Sequence, residues 1–463
     1  MKINIKELGA IKEGTIDLSK KLNVFCGPNG TGKTYVAYVI YALMKAGIHF
    51  GRNDKLATEL IDKKQLIFEI DYALLYKYRS DLQANLKSEY DTLFGIGKEL
   101  ASHYFENTVV SFAETETELR DEFYWYSFKK QIIIGNIEIQ VVKETCNNYL
   151  DLTLTDKTIS TKDIEYLGFV LQTLLLSLCA TYPIGSTYIL PVERNSIFTF
   201  SKELSIRKQE AFDHFNALTN KEQKVDKFDL FFKKNTRYPL PIKDGLLIAD
   251  DLSEIKKKNS EFYEFATELE NELLHGKVQI TSEGELQFKS DKAPKKLLPI
   301  HMTASIIKSL SSLVVYLKHI ASKNDLIIID EPEINLHPDN QILLVRLFAR
   351  LINKGFRLLI STHSDYVVRE LNNIIMLSSD KQEVNSLREK FGYKTEESIS
   401  KDDIAVYYFN YPSKGRNIKQ VNIEIIEIDD SGFEIPSVDA TIDAQNNVSE
   451  ELFYALKYNK SNE

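Results

Sequence analysis

Hydrophobic and polar positions alternate in blocks that predict an α/β fold. Ile3-Asn-Ile-Lys-Glu-Leu and Gly14-Thr-Ile-Asp-Leu alternate as an opening hairpin. Leu22-Asn-Val-Phe-Cys is a short apolar strand. It runs into the glycine-rich stretch Gly27-Pro-Asn-Gly-Thr-Gly32-Lys33-Thr34 and then into Tyr35–Met44, whose apolar run predicts a helix. Much later, Asp325-Leu-Ile-Ile-Ile predicts a buried strand that ends on Asp330-Glu331-Pro332. Arg357-Leu-Leu-Ile-Ser predicts another, ending on Thr362-His363-Ser364.

Between these blocks, residues 52–125 show helical spacing at Tyr72, Leu75, Tyr76, Tyr78 and Leu82. Gln131–Gly135 and Asn136–Val142 predict a hairpin, followed by a strand at Tyr149–Thr155. These strands are expected to flank the main core as antiparallel additions. The character changes over residues 201–290. Ser205–Asn220 is polar and helical in pattern, and Lys221–Lys234 is charged with embedded phenylalanines. Asp250-Asp251 is placed to cap one long helix through Leu252, Ile255, Phe262, Phe265, Leu269 and Leu273, ending at Gly276. A hairpin follows over Val278–Phe288. Past His363 the pattern predicts a helix at Asp365–Asn372 and a strand at Ile374–Leu377. Strands are then expected at Ile404–Phe409 and Gln420–Ile428, a turn at Asp429–Gly432, and a terminal helix at Val448–Tyr458. The expected division is a core from residues 1–200 and 291–463, with an inserted helical lid at 201–290.

Composition narrows the classes. The chain has 463 residues, 43% hydrophobic and 27% charged, enough for a sizeable core in two or three lobes. No apolar run approaches the ~18 residues that span a bilayer. The first residues pattern as a strand rather than a leader. Cys26, Cys146 and Cys179 are scattered, without metal-ligand spacing, as expected of a reducing cytoplasm. A net charge of −9 disfavours tight, non-specific DNA binding, although Lys256–Lys258 and Lys289, Lys292, Lys295 and Lys296 form local clusters.

Gly27–Thr34 matches G-x-x-x-x-G-K-[ST] between a strand and a helix, the setting in which that motif binds phosphates. Its glycines let successive backbone N–H groups of Asn29, Gly30, Thr31 and Gly32 turn toward an anion, aided by the positive end of the following helix. Lys33 adds a charge for the β- and γ-phosphates of ATP, and the Thr34 hydroxyl is a Mg²⁺ ligand. Asp330 is placed to hold the same metal, and Glu331 to polarise the attacking water as general base. His363 ends a third strand, following in chain order after the phosphate loop and the Asp-Glu strand. A histidine at a strand end has an ordinary hydrogen-bonding explanation.

The stretch Glu331-Pro332-Glu333-Ile-Asn335-Leu336-His337-Pro338 resembles the EPE-x-x-LHP signature of OLD-like ATPases, the RecF/SMC-related branch of ATP-binding-cassette enzymes. The opening hairpin and Leu190-Pro191-Val192-Glu193-Arg194 resemble the same branch. The resemblance implies a cassette core and a switch role for His363. It also implies a signature helix that reaches across a dimer to the partner's γ-phosphate. The matching stretch, Leu298 to Ser312, lacks glycine; Thr303 and Ser305 are the nearest equivalents of the family's hydroxyl pair. Ser305 could also be the N-cap of the helix through Leu310, Leu313 and Leu317. Gln131 and Gln140 are the candidates for the coupling glutamine. No acid cluster of a TOPRIM nuclease is evident after residue 378; Asp429-Asp430 reads as a turn.

The family likeness implies a cytoplasmic homodimer or higher homo-oligomer that senses or scaffolds for a separate effector subunit, a TOPRIM or other nuclease. The setting resembles anti-phage defence of the PARIS type, with a phage-derived trigger. The alternatives are a RecF-like repair ATPase that clamps DNA directly and a slow-turnover, ATP-locked scaffold.

Overall fold

The computed structural model describes residues 1–47, 53–134, 137–155, 161–200, 238–293, 295–411 and 420–458. In chain order the first strands are β1 (Lys2–Leu8), β2 (Ile11–Asp17), β3 (Leu22–Cys26), β4 (Gln65–Glu69) and β5 (Val109–Phe112). Then come β6 (Phe128–Ile134), β7 (Ile137–Lys143), β8 (Tyr149–Thr155) and β9 (Thr187–Leu190). The remainder are β10 (Gly276–Ile280), β11 (Leu286–Ser290), β12 (Leu297–Pro299), β13 (Leu326–Asp330), β14 (Arg357–Ser361), β15 (Ile404–Asn410) and β16 (Val421–Ile426). The helices that bear on the site are α1 (Lys33–Lys45), α2 (Tyr263–Leu269), α3 (Ser305–His319), α4 (Pro338–Asn353), α5 (Asp365–Met376) and α6 (Pro436–Tyr458).

The fold is mixed α/β around a nine-stranded sheet of order β5-β1-β2-β16-β15-β3-β14-β13-β9. β15, β3, β14, β13 and β9 are parallel. Their side chains alternate between two apolar layers, as a pleat requires. Phe25, Ile328 and Leu359 face the layer built on α1. Val24, Cys26, Ile327, Ile329, Leu358 and Ile360 face the layer built on α3, α4 and α5. With both faces covered, these strands are apolar throughout, which explains why their sequence lacks alternation.

Several expectations are corrected. The strands at 128–155 do not flank the main sheet; β4-β8-β7-β6 forms a separate four-stranded sheet. The flank of the main sheet comes from β16, antiparallel to β15, and from the antiparallel set β2, β1 and β5, which joins β16 through a short parallel pairing with β2. Gln131 and Gln140 face one another as register partners within the smaller sheet, and Gln131 donates to Glu138 there. The single helix expected from Leu252 is interrupted. Leu252–Ile255 is one short turn, and α2 restarts at Tyr263 and continues as a π-turn over Glu270–Leu274. The break follows from Ser260, whose backbone N–H donates to Lys318 and whose hydroxyl donates to the Leu317 carbonyl. The Ser260 hydroxyl also accepts from Phe262 N–H, a local alternative to helix. Ile374–Leu377 is not a strand. Buried Val367, Leu371, Ile374 and Ile375 keep helical spacing, and α5 runs to Met376. The terminal helix starts at Pro436, where proline suits a first helical turn. The hairpin expected at Val278–Phe288 is present as β10 and β11 and is joined by β12. The segments Ser205–Asn220 and Lys221–Lys234 lie outside the described residues.

Candidate active site

The parallel strands end side by side. Asp330 pairs with Ser361, and Ser361 pairs with Phe25, so β3, β13 and β14 deliver their last residues to one edge. In parallel α/β sheets this carboxyl edge is where ligands bind.

β3 opens into the glycine-rich loop there. Gly27 has φ +129°, and a Cβ on it would lie 2.2 Å from the Phe409 carbonyl oxygen, so only glycine lets the loop leave the sheet at this point. Gly32 is left-handed, with φ 92°, and starts α1. Pro28, Asn29 and Gly30 are exposed, whereas Thr31 is buried, its hydroxyl donating to Pro28 O at 2.8 Å. Lys33 is also buried, and its ammonium donates to the carbonyls of Gly27 at 2.9 Å and Pro28 at 2.8 Å. Burial pushes the Lys33 amine down to about 8, against the opposing pull of Cys26, Glu331, Asp330 and Glu333.

Asp330 is 1% exposed and fully engaged. One oxygen accepts from the Thr34 hydroxyl at 2.8 Å; the other accepts from Ser361. The same Ser361 hydroxyl accepts from Glu331 N–H at 3.0 Å. Mg²⁺ bound to a nucleoside triphosphate takes one or two protein oxygens, with phosphate and water completing the shell. The Thr34 hydroxyl and Asp330 carboxylate, hydrogen-bonded to one another, could serve as such a donor pair.

Glu331 has φ +46°, an unusual conformation for a residue with a Cβ. Its carboxylate is 3.5 Å from Nε2 of His363. Burial, Asp330 and Glu333 push its pKa up. Burial and then Lys33 push the His363 imidazole down, favouring the neutral ring. Glu333 braces the histidine loop: its Oε1 accepts from the Thr362 hydroxyl at 2.8 Å and from His363 N–H at 2.7 Å. Ser364 caps α5 and donates to Gln341 of α4 at 2.5 Å. A cavity of about 190 Å³ adjoins this edge, between Gly27, Pro28, Thr362 and His363 on one side and Ser437, Val438 and Thr441 of α6 on the other.

Lys33, Thr34, Asp330, Glu331 and His363 are thus brought together, with Asn29 and Gly30 at the open rim. Ser305 is not part of this cluster. It is the first residue of α3 and is not the N-cap; Ala304 holds that position, with no side-chain cap bond. Among the described residues no hydrogen bond or ion pair joins Ser305 to the cluster. Asp429 accepts from Ser431 in the turn expected there. Three groups had no sequence-derived role: Ser361, Glu333 and Arg194. Each stood inside a segment already singled out, but nothing in local spacing reveals its long-range partners.

Residues 1–368 match the family described as "AAA ATPase domain". No curated protein matches the sequence. Similar solved structures include an SMC head domain from Thermotoga maritima, 12% identical, with TM-score 0.31 over 92% of this chain and 98% of that one. Another is an SMC head with an extended coiled coil, bound to the C-terminal domain of ScpA derived from Pyrococcus furiosus, 12% identical, with TM-score 0.34 over 97% and 98%. A third is an SMC head bound to the C-winged helix domain of ScpA, 11% identical, with TM-score 0.34 over 92% and 97%. Since the family match covers most of the chain and brackets the phosphate loop, Asp330 and His363, the protein belongs to the AAA ATPase domain family and is an ATPase.

Proposed function

We propose that the chain is an OLD-like, nucleotide-gated ATPase. ATP enters at the carboxyl edge, and Lys33 exchanges its two carbonyl acceptors for the β- and γ-phosphates. Backbone N–H groups of Asn29 to Thr34 and the N-terminus of α1 carry the remaining phosphate charge. Thr34 and Asp330 hold Mg²⁺, which supplies charge neutralisation at the phosphates. Glu331 takes the proton of the attacking water, and neutral His363 reads the γ-phosphate. One observation carries the assignment: Lys33 with Thr34, Asp330 with Glu331, and His363 come from three segments remote in sequence and meet at one sheet edge, where Thr34 bonds Asp330 and Glu331 faces His363.

The cluster is exposed at Pro28, Asn29 and Gly30, and among the described residues no hydrogen bond or ion pair ties Ser305 to it. A second copy of the chain, donating Ser305 and the start of α3 across a two-fold axis, would close that face. ATP binding then brings two subunits together and hydrolysis releases them. Such a cycle suits a sensor or scaffold for a separate effector such as a nuclease, as the EPE-x-x-LHP resemblance to anti-phage ATPases suggests. The exposed lysines at 292, 295 and 296, just ahead of α3, favour one second reading, a clamp that grips DNA in the ATP state. Light scattering of the Glu331→Gln protein tests the gating. Its mass should double with ATP and Mg²⁺ and stay monomeric with ADP; a mass that ignores the nucleotide counts against it.

A further inference from the structure

Arg194 opens the helix at 194–200, just past β9, and is 2% exposed. Its guanidinium donates to four carbonyls: Asp330 at 2.9 Å, Glu331 at 2.9 Å, Pro332 at 3.2 Å and Pro191 at 3.2 Å. We infer that Arg194 is a positioning residue for Glu331, clamping the backbone of residues 330–332 so that the general base keeps its left-handed conformation and its free carboxylate.

Three features support the clamp. First, its hydrogen bonds follow the backbone through the turn. Three consecutive carbonyls at the end of β13 point at one planar cation, and the middle one belongs to the residue with φ +46°. A rigid guanidinium fork can hold several acceptors at once, which a lysine ammonium on a flexible stem cannot reproduce. Second, the donors go to the wrong oxygens for an ordinary ion pair. Glu333, Asp330 and Glu331 all act electrostatically on Arg194, yet among the described residues its hydrogen bonds go to carbonyls. The Glu331 carboxylate is thereby left to face His363 at 3.5 Å rather than being consumed in a bidentate pair. Third, the remaining restraints on this turn are local, with Ile334 N–H donating to the Glu331 carbonyl at 3.1 Å and Glu331 N–H donating to the Ser361 hydroxyl at 3.0 Å, and neither holds the Asp330 or Pro332 carbonyl. Arg194 and Ser361 together fix the peptide groups on both sides of the Glu331 Cα. Burial also pushes the guanidinium down to about 10, still charged at neutral pH.

This rests on the assignment of Glu331 as base, and the experiment separates the two. Arg194→Lys and Arg194→Ala are made alone and combined with Glu331→Gln, and single-turnover hydrolysis, fluorescent-ATP affinity and melting temperature are measured for each. Arg194→Lys should lower the rate about 10-fold or more, while ATP affinity stays within about threefold of wild type. In the Glu331→Gln background the same change should alter the residual rate by less than about threefold, because the group it positions is already gone. Full losses in both backgrounds, parallel loss of ATP affinity, an unaffected rate in Arg194→Lys, or loss of the folded state in both variants would each overturn the proposal. A wild-type rate in Glu331→Gln alone would remove the base assignment instead, whatever Arg194 does.

Discussion

Lys33 is the buried cation of the loop proposed to hold phosphate. Its ammonium donates to the Gly27 and Pro28 carbonyls, the bonds that the phosphates are proposed to replace. Lys33→Ala should therefore abolish ATP binding, measurable by fluorescent-nucleotide titration. Glu331→Gln keeps size and hydrogen bonding but removes the base. It should still bind ATP while hydrolysis falls roughly 10²–10⁴-fold, the usual worth of a general base; a loss under about 10-fold excludes that role. His363→Ala should cripple hydrolysis and leave ADP affinity close to wild type, whereas equal losses for ATP and ADP would mark a purely structural histidine. The loop, Asp330, Glu331 and His363 were legible in the sequence because each sits at a strand end, where an apolar run stops at a polar residue. Ser361 and Arg194 were not, because their partners are backbone groups and side chains brought near only by strand pairing.

Elements hold these residues through a few unforgiving contacts. Gly27 leaves β3 where β15 presses against it, and Gly27→Ala would set a methyl against the Phe409 carbonyl in a backbone conformation that disfavours side chains. A cost of at least about 1–3 kcal/mol is expected from the conformation alone, seen as a lower melting temperature together with weakened ATP binding. On the other side of the sheet, Glu270 and Lys318 form a buried ion pair at 2.6 Å that fastens the segment around α2 to α3. Glu270 also accepts from Val278 N–H at 2.6 Å. Lys318→Met should cost about 3–5 kcal/mol in denaturant unfolding, because it strands a buried carboxylate. Adding Glu270→Gln, which neutralises that carboxylate and keeps an acceptor for Val278, should recover part of the loss. Strand positions were readable from their apolar runs, but sheet membership was not. Nothing in Gln131–Val142 states which edge it joins, and the interruption at Ser260 depends on carbonyls of α3 that are distant in sequence.

At the scale of the whole molecule, the exposed rim at Pro28, Asn29 and Gly30 is the face that the proposed second subunit would cover. The proposed arrangement gives each nucleotide Lys33, Asp330 and Glu331 from one chain and Ser305 from the other. Mixing Ser305→Arg protein with Glu331→Gln protein tests this most directly, with subunit exchange followed by fluorescence energy transfer. Each variant alone should be inactive. A mixed dimer carries both lesions in one site and none in the other, so ATPase activity should return on mixing. Demonstrated exchange with no return of activity would contradict a site shared between two chains.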